Sequence, residues 1–216
     1  GMTEELSFSF TSEKTLDKLG VPADSPLRQA IPIMNPLTDE YPLIRTTLLT
    51  SVLENAARNV ARKNMDLRLF DIAPVFFPKA LPVTELVNEK LMVAGLITGR
   101  RSPIAWDTDN AQVDFYDMKG ILERFLTAIG VQKYTVERGE HFAMHPGKTA
   151  LFKKGRDVIA VLGEIHPTVA ANFGIAQSVY VFEMEVDTLL RYRKKKNTIA
   201  SLPKYPASTR DLAILV

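Results

Sequence analysis

Cysteine is absent from the 216 residues, which removes disulfides and thiolate metal sites from consideration at once. Histidine is scarce, with three residues in all, so an imidazole-based metal centre would need nearly every one. No apolar stretch is long enough to span a bilayer, "LMVAGLITG" being among the longest, and the N-terminus lacks a signal-peptide pattern. These absences favour a cytoplasmic chain with no membrane partner. Strong charge of either sign is missing too: 27 basic against 25 acidic side chains leave +2, too little by itself to argue for nucleic acid. What is present suits an ordinary globular domain. The chain is 46% apolar, and at this length a single core buries roughly 70% of the extended surface without covalent staples.

Gly1 and Met2 read as a processing remnant, and the apolar end "RDLAILV" reads as a strand cut from a longer chain. Between them the periodicities alternate. Leu6, Phe8 and Phe10 alternate with serines, the period of a half-buried strand. Ser12 and Glu13 open a short helix that Gly20 closes. Residues 21–41 carry Pro22, Pro26, Pro32 and Pro36, so they read as extended and turn-rich, with "QAIPIM" an edge strand at best. Leu48, Leu49, Val52, Leu53, Ala56, Ala57 and Val60 recur at helical spacing, with Glu54 and Arg58 paired one turn apart.

"LRLFDIAPVFF" is apolar on both faces and reads as a central strand, as does "KLMVAGLITG". Asp114 caps a helix striped by Met118, Ile121, Leu122, Phe125, Leu126 and Ile129, which leaves through Gly130. "KYTVERG" reads as a strand, and "TALFKK" and "VIAVLGEI" as a hairpin turned by "GRD". His166 and Pro167 start a short helix, "SVYVFEMEV" is a strand, and Asp187 caps a helix over "DTLLRY". The mixture predicts an α+β domain: a mainly antiparallel β-sheet flanked by helices.

Several pieces look chemical. "GKT" at Gly147–Thr149 has the tail of a phosphate loop, but Phe142 occupies the position of its first glycine, and a strand rather than a helix follows. His141 and His145 have the spacing of helical metal ligands, yet Pro146 and Gly147 break the helix that would align them. Turn chemistry is the better reading of both His-Pro pairs, each ring packing beside its proline and donating to a backbone carbonyl, with His166 also placed to cap a helix. No serine has the Gly-x-Ser-x-Gly setting of an exposed nucleophile. Glu183 and Glu185 share a strand face and read as solvated carboxylates rather than a cation site. The basic run Arg191, Arg193, Lys194, Lys195 and Lys196 is a candidate RNA contact or, more simply, a solvated connector.

Four stretches in order resemble one family. "NPLTDEYPLIRTTLLTSVLENAARNVARKNMDLRLFDIAPVFF", "HPGKTALFKKGRDVIAVLGEIHPTVAANFGI", "YVFEMEVDTLL" and "LPKYPASTRDLAILV" are similar to successive blocks of the phenylalanyl-tRNA synthetase β chain. The resemblance implies a class II aminoacyl-tRNA synthetase-like core over residues 3–199, non-catalytic in this family. It also implies that residues 200–216 are a linker plus the first strand of a ferredoxin-like, anticodon-binding domain. Phenylalanine and ATP would be bound by the α chain of an (αβ)₂ assembly that acts on tRNA(Phe). ATP and Mg²⁺ would serve that holoenzyme, and no cofactor would belong to this chain.

The resemblance also marks degenerate positions. Class II chemistry places an arginine at the end of the second signature strand, to steady the α-phosphate of ATP. Here the matching positions are Phe77 and Pro78. The third signature strand is glycine-rich and ends in a second arginine, whereas this chain presents Glu183 and Glu185, whose charge repels triphosphate. His145, Pro146, Gly147, Gly163, Glu164, His166 and Pro167 become a structural motif. The face made by Leu48, Leu49, Val52, Leu53, Ala56 and Val60 becomes the candidate surface for the α chain. Two rivals remain at this point: a stand-alone tRNA-binding module, and an active adenylate-forming ligase.

Overall fold

Two largely apolar strands, residues 88–98 and 179–185, lie side by side at the middle of a seven-stranded sheet. The computed structural model describes residues 1–80, 83–194 and 204–213. In chain order these form β1 (Thr3–Glu4), β2 (Phe10–Thr11), α1 (Glu13–Leu19), a 3-10 turn (Pro26–Arg28), β3 (Leu43–Ile44) and α2 (Leu49–Ala61). Then come β4 (Leu67–Phe77), β5 (Asn88–Thr98), α3 (Phe115–Ala128), β6 (Thr135–Arg138), β7 (Met144–Lys154) and β8 (Asp157–Ile165). The last are α4 (Pro167–Asn172), β9 (Val179–Glu185) and α5 (Val186–Tyr192).

The strand order is β1-β4-β5-β9-β8-β7-β6, and every pairing is antiparallel except β1 with β4. The central strands lose their period-two pattern because both faces are covered. From β5, Ala94 and Leu96 enter one core while Val93 and Ile97 enter the other. From β9, Val179 and Val181 go one way and Tyr180, Phe182 and Met184 the other. The first core is closed by α1, α2 and α4, through Leu16, Leu19, Leu49, Leu53, Val169 and Ala170. The second is closed by α3 and α5, through Met118, Leu122, Leu126 and Leu189. Local signals set the helix ends: Ser12 caps α1, a reciprocal Asp114–Asp117 capping box opens α3, and Gly20 and Gly130 leave in the left-handed region.

Some expectations change. "LRLFDIAPVFF" is not central: β4 lies one place from the edge, flanked only by the two-residue β1, and Ile72 is 45% exposed. An apolar face left uncovered looks the same in sequence as one covered by a helix. The alternation at Leu6, Phe8 and Phe10 does not make a half-buried strand. Leu6 and Phe8 are 94% and 81% exposed, and only Phe10 joins a strand, in a two-stranded ribbon with β3. Asp187 falls within the first turn of α5 rather than at its cap, which is Glu185. Met2, read as part of a remnant, packs against the second core. At the far end, residues 204–213 form no helix or strand, and 200–203 and 214–216 lie outside the described residues.

The fold predicts where substitutions cost most. Leu122→Ala, in the second core, should destabilise the domain by about 2–5 kcal/mol. Tyr116→Ala, on the exposed face of the same helix, should change stability by less than about 0.5 kcal/mol. Urea unfolding followed by circular dichroism measures both.

Candidate functional site

The register brings the degenerate positions to one face of the sheet. Phe77 lies opposite Asn88, Glu185 opposite Met92 and Glu183 opposite Ala94. Directly paired residues point the same way, so Phe77, Glu183 and Glu185 all face the side on which α2 packs. Lys90, which the sequence reading passed over, joins them: its Nζ is 3.7 Å from Glu185 Oε2 and 5.8 Å from the centre of the Phe77 ring. Pro78 follows at the end of β4 and lies outside any helix or strand.

Glu183 is not the solvated carboxylate the sequence suggested. It is half-buried, and its Oε1 accepts from Thr47 Oγ1 at 2.8 Å and from the Leu48 N–H at 2.9 Å. Leu48 is the N-cap of α2 and supplies no side-chain cap of its own. A carboxylate borrowed from the central strand therefore satisfies the helix N-terminus, where negative charge is favoured. Burial pushes the Glu183 pKa up, while the Thr47 and backbone donors pull the other way. The sequence shows only the local part of this arrangement: a threonine in "RTTLL" can cap, and Thr47 Oγ1 does accept from the Leu49 N–H at 3.2 Å, but nothing local points to Glu183.

This arrangement also corrects the partner surface. Leu48, Leu49, Val52, Leu53 and Ala56 are buried in this chain's own first core, and Val60 packs against it. The amphipathic stripe of α2 is used internally and leaves no apolar face for a second chain. The expected Glu54–Arg58 pair is absent among the ion pairs of the described residues. Glu54 accepts instead from Thr15 Oγ1 at 3.2 Å, across to α1.

The His-Pro segment presses on the same face of the sheet. His145 to Lys148 bulge out between the Met144–Ile165 and Thr149–Gly163 pairs, and Thr149 Oγ1 closes the bulge by donating to the His145 carbonyl at 2.8 Å. A Cβ at Gly163 would lie 2.9 Å from the Lys148 carbonyl and 2.8 Å from Met144 Sδ, so only glycine lets the bulge approach. Glu164 is buried beside it, taking bonds from Lys148 and from Ser178 Oγ at 3.0 Å. Burial works against its charge, but those two donors outweigh it and hold the carboxyl below its usual range.

The rings of His145 and His166 stack at 6.2 Å. Both imidazoles accept rather than donate: Nδ1 of His145 takes the Gly147 N–H at 3.0 Å, and Nδ1 of His166 takes the Thr168 N–H at 3.2 Å. Proline has no N–H of its own to offer, so the next residue's N–H turns back to the ring. His166 thereby caps α4, with Pro167 at its first position. "GKT" lies inside β7, far from any helix start. His141 stays neutral, since burial lowers its pKa to about 4.

Of the basic run, Arg191 is spent on Asp157 at 3.2 Å and on Thr188, Arg193 and Lys194 are exposed, and Lys195 and Lys196 lie outside the described residues. Among the described residues no cluster of three or more His, Asp or Glu is poised to hold a metal, and no helix is long and apolar enough to cross a membrane. The residues at this face do not fit a triphosphate. Lys90, the cation beside Phe77 and Glu185, is held between that carboxylate and that phenyl ring, and the Leu48 N–H already serves Glu183.

Residues 1–186 match the family model described as the phenylalanyl tRNA synthetase beta chain CLM domain. The chain is 38% identical over 218 residues to the phenylalanine–tRNA ligase beta subunit of Geobacter sulfurreducens, covering 100% of this chain and 27% of that protein. It is 37% identical over 217 residues to the beta subunit of Clostridium acetobutylicum, covering 100% of this chain and 26% of that one. The chain thus spans about a quarter of the length of these relatives. Among solved structures it is similar to the pyrrolysyl-tRNA synthetase of Desulfitobacterium hafniense, with a TM-score of 0.63 at 15% identity, covering 88% of this chain and 62% of that one. That likeness establishes the class II synthetase-like fold.

Glu183→Ala should cost about 1–3 kcal/mol by stranding the Thr47 hydroxyl and the Leu48 N–H, while Glu183→Gln, which keeps an acceptor, should cost clearly less. His166→Ala should cost about 0.5–2 kcal/mol as the loss of a helix cap. Urea midpoints of the three variants provide the comparison.

Proposed function

This chain belongs to the phenylalanyl-tRNA synthetase β-chain family, and from that premise we propose that it is a catalytically silent class II core. It supports an α-chain partner that attaches phenylalanine to tRNA(Phe) at the expense of ATP. In this reading ATP and Mg²⁺ serve the α chain within a cytoplasmic (αβ)₂ assembly. Residues 3–199 are the scaffold, and residues 200–216 lead into a C-terminal anticodon-binding domain. One observation carries the reading: the sheet face that would cradle a nucleotide is taken up by this chain's own groups. Glu183 holds the start of α2, and Lys90 is bound between Glu185 and Phe77. Phosphoryl chemistry needs preorganised cations at the charge that develops. At Phe77 and Pro78 there is no group to supply one.

Structural polar groups fill the remaining positions of interest. His145, Glu164 and His166 each have a defined bonding partner in the β7 bulge or at the start of α4. Glu164 ties β8 to Lys148 of β7 and to Ser178 just before β9, the two histidines close local turns, and none of the three has a role in turnover.

ATP–pyrophosphate exchange with phenylalanine tests the reading directly. The chain alone should show none. Mixed with an α chain, it should co-elute on gel filtration, and exchange should be confined to fractions that contain the α chain. Exchange by the chain alone would establish the adenylate-forming alternative. Tight, salt-sensitive binding of tRNA by the chain alone would favour the RNA-binding module, because phosphate contacts weaken steeply with salt.

A further inference from the structure

A buried carboxylate without a counter-charge lies under the first strand. Glu5 is 5% exposed. Its Oε2 accepts from Asn55 Nδ2 on α2, and its Oε1 has no hydrogen-bond partner. The surrounding charges come from three directions: Asp71 on β4, Arg45 in the segment before α2, and Arg58 on α2. Arg45 is 1% exposed, but its bonds go elsewhere. It donates to the Pro74 carbonyl at 3.0 Å, to Ser7 Oγ at 2.6 Å and to the Phe8 carbonyl at 3.2 Å, and it lies 3.8 Å from Asp71. Ser7 in turn donates to Asp71.

The segment above this cluster has few attachments of its own, although Met2 before it packs against the second core and the Ser9 carbonyl after it accepts from the Arg45 N–H at 2.9 Å. β1 pairs with β4 only at Thr3–Leu69 and Glu4–Phe70, extended by the Glu5 N–H to the Phe70 carbonyl at 2.8 Å. Leu6 and Phe8, the apolar residues that should anchor it, point into solvent. Between those flanking anchors, the side chains that hold residues 3–8 down are those of the polar cluster, and within it Glu5 has an oxygen without a partner and, among the described residues, no ion pair.

We propose that residues 3–8 form a proton-controlled strap, closed on the edge of β4 while the Glu5 carboxyl is neutral and released when that carboxyl becomes charged. A neutral carboxyl needs no counter-ion and leaves a smaller desolvation cost under the strap. The surroundings act in that direction. Burial pushes the Glu5 pKa up, the Asn55 bond opposes it, Asp71 raises it further, and Arg58 and Arg45 lower it, with the outcome at about 7. Because the closed state binds the proton more tightly, the contribution of Glu5 to closure is complete below the ordinary carboxylate range. It is lost as pH rises through about 7. Release bares the outer edge of β4 at Leu69 and Phe70, and an unpaired strand edge is a template for pairing with another chain.

Amide hydrogen exchange, corrected for intrinsic rates, reads the strap at about pH 6 and about pH 8. Protection of residues 3–8 should fall about tenfold across that interval by proton linkage, while α3 keeps its protection. In Glu5→Gln, a neutral isostere, the strap should stay equally protected at both values. Asn55→Ala, which removes the one donor to Glu5, should move the wild-type transition to higher pH. Strap protection that tracks α3 at both values overturns the proposal. So does a Glu5→Gln protein that keeps the wild-type pH dependence, or, should that variant fail to fold, an Asn55→Ala transition that does not move.

Discussion

The contact between Glu183 and the start of α2 joins the central strand of the sheet to the helix that covers one of its faces. A helix N-terminus carries several N–H groups without partners, and α2 has a local cap in Thr47 Oγ1, on the Leu49 N–H, but needs a further acceptor for the Leu48 N–H. With the carboxylate of β9 supplying one, the helix is pinned with Leu49, Val52, Leu53 and Ala56 directed into the core. The bond spans 135 residues of sequence, so it fixes the packing of the two halves of the chain as well as one turn of helix. A buried carboxylate without such donors would be strongly unfavourable. The two elements thus satisfy each other, and neither position is free to change alone.

That mutual dependence accounts for how a class II frame could persist in the catalytically silent core proposed above. The sheet and its two cores rest on apolar residues such as Ala94, Leu96 and Val181 on one face and Ile97, Phe182 and Leu162 on the other. The charged positions are under a different constraint. Once no substrate is bound, a cation aimed into a cleft has no partner, and a carboxylate that can cap a helix becomes the better resident. Lys90 shows the same logic, its charge balanced by Glu185 and its stem laid over Phe77. Glu183, Glu185 and Lys90 all have their charges directed at the protein's own groups.

Legibility in the sequence followed the range of the interaction. The Asp114 cap, the exit at Gly130, the β7–β8 hairpin and the buried run of β5 are local, and the amino-acid pattern carries them, whereas β9 was legible as a strand but not as one covered on its glutamate face. The cap from Glu183, the burial of Arg45 and the place of β4 near the edge depend on which distant segment lies alongside, which periodicity does not encode. Arg45 is the clearest case. Nothing in "PLIRTT" distinguishes a surface arginine from one whose guanidinium bonds Ser7, the Phe8 carbonyl and the Pro74 carbonyl. The reading of the α2 stripe failed for a related reason: an amphipathic helix announces that it has an apolar face but not whose core receives it.

Buried polar groups of this kind are weak sources of stability and better sources of definition. A paired charge inside a protein often contributes no more than an apolar residue of equal size, because desolvation offsets the attraction. Arg45 and Asp71 are both buried, yet they lie 3.8 Å apart, and Arg45 directs its bonds at two carbonyls and a hydroxyl on neighbouring segments. That geometry sets where the first strand and the end of β4 lie relative to one another. The Thr149 and Glu164 bonds define the β7 bulge in the same way, at the other side of the sheet. In the scaffold role proposed above, such register devices would matter more than another increment of stability. Two clusters of them, on either side of the capped helix, are consistent with a domain whose role is to hold form.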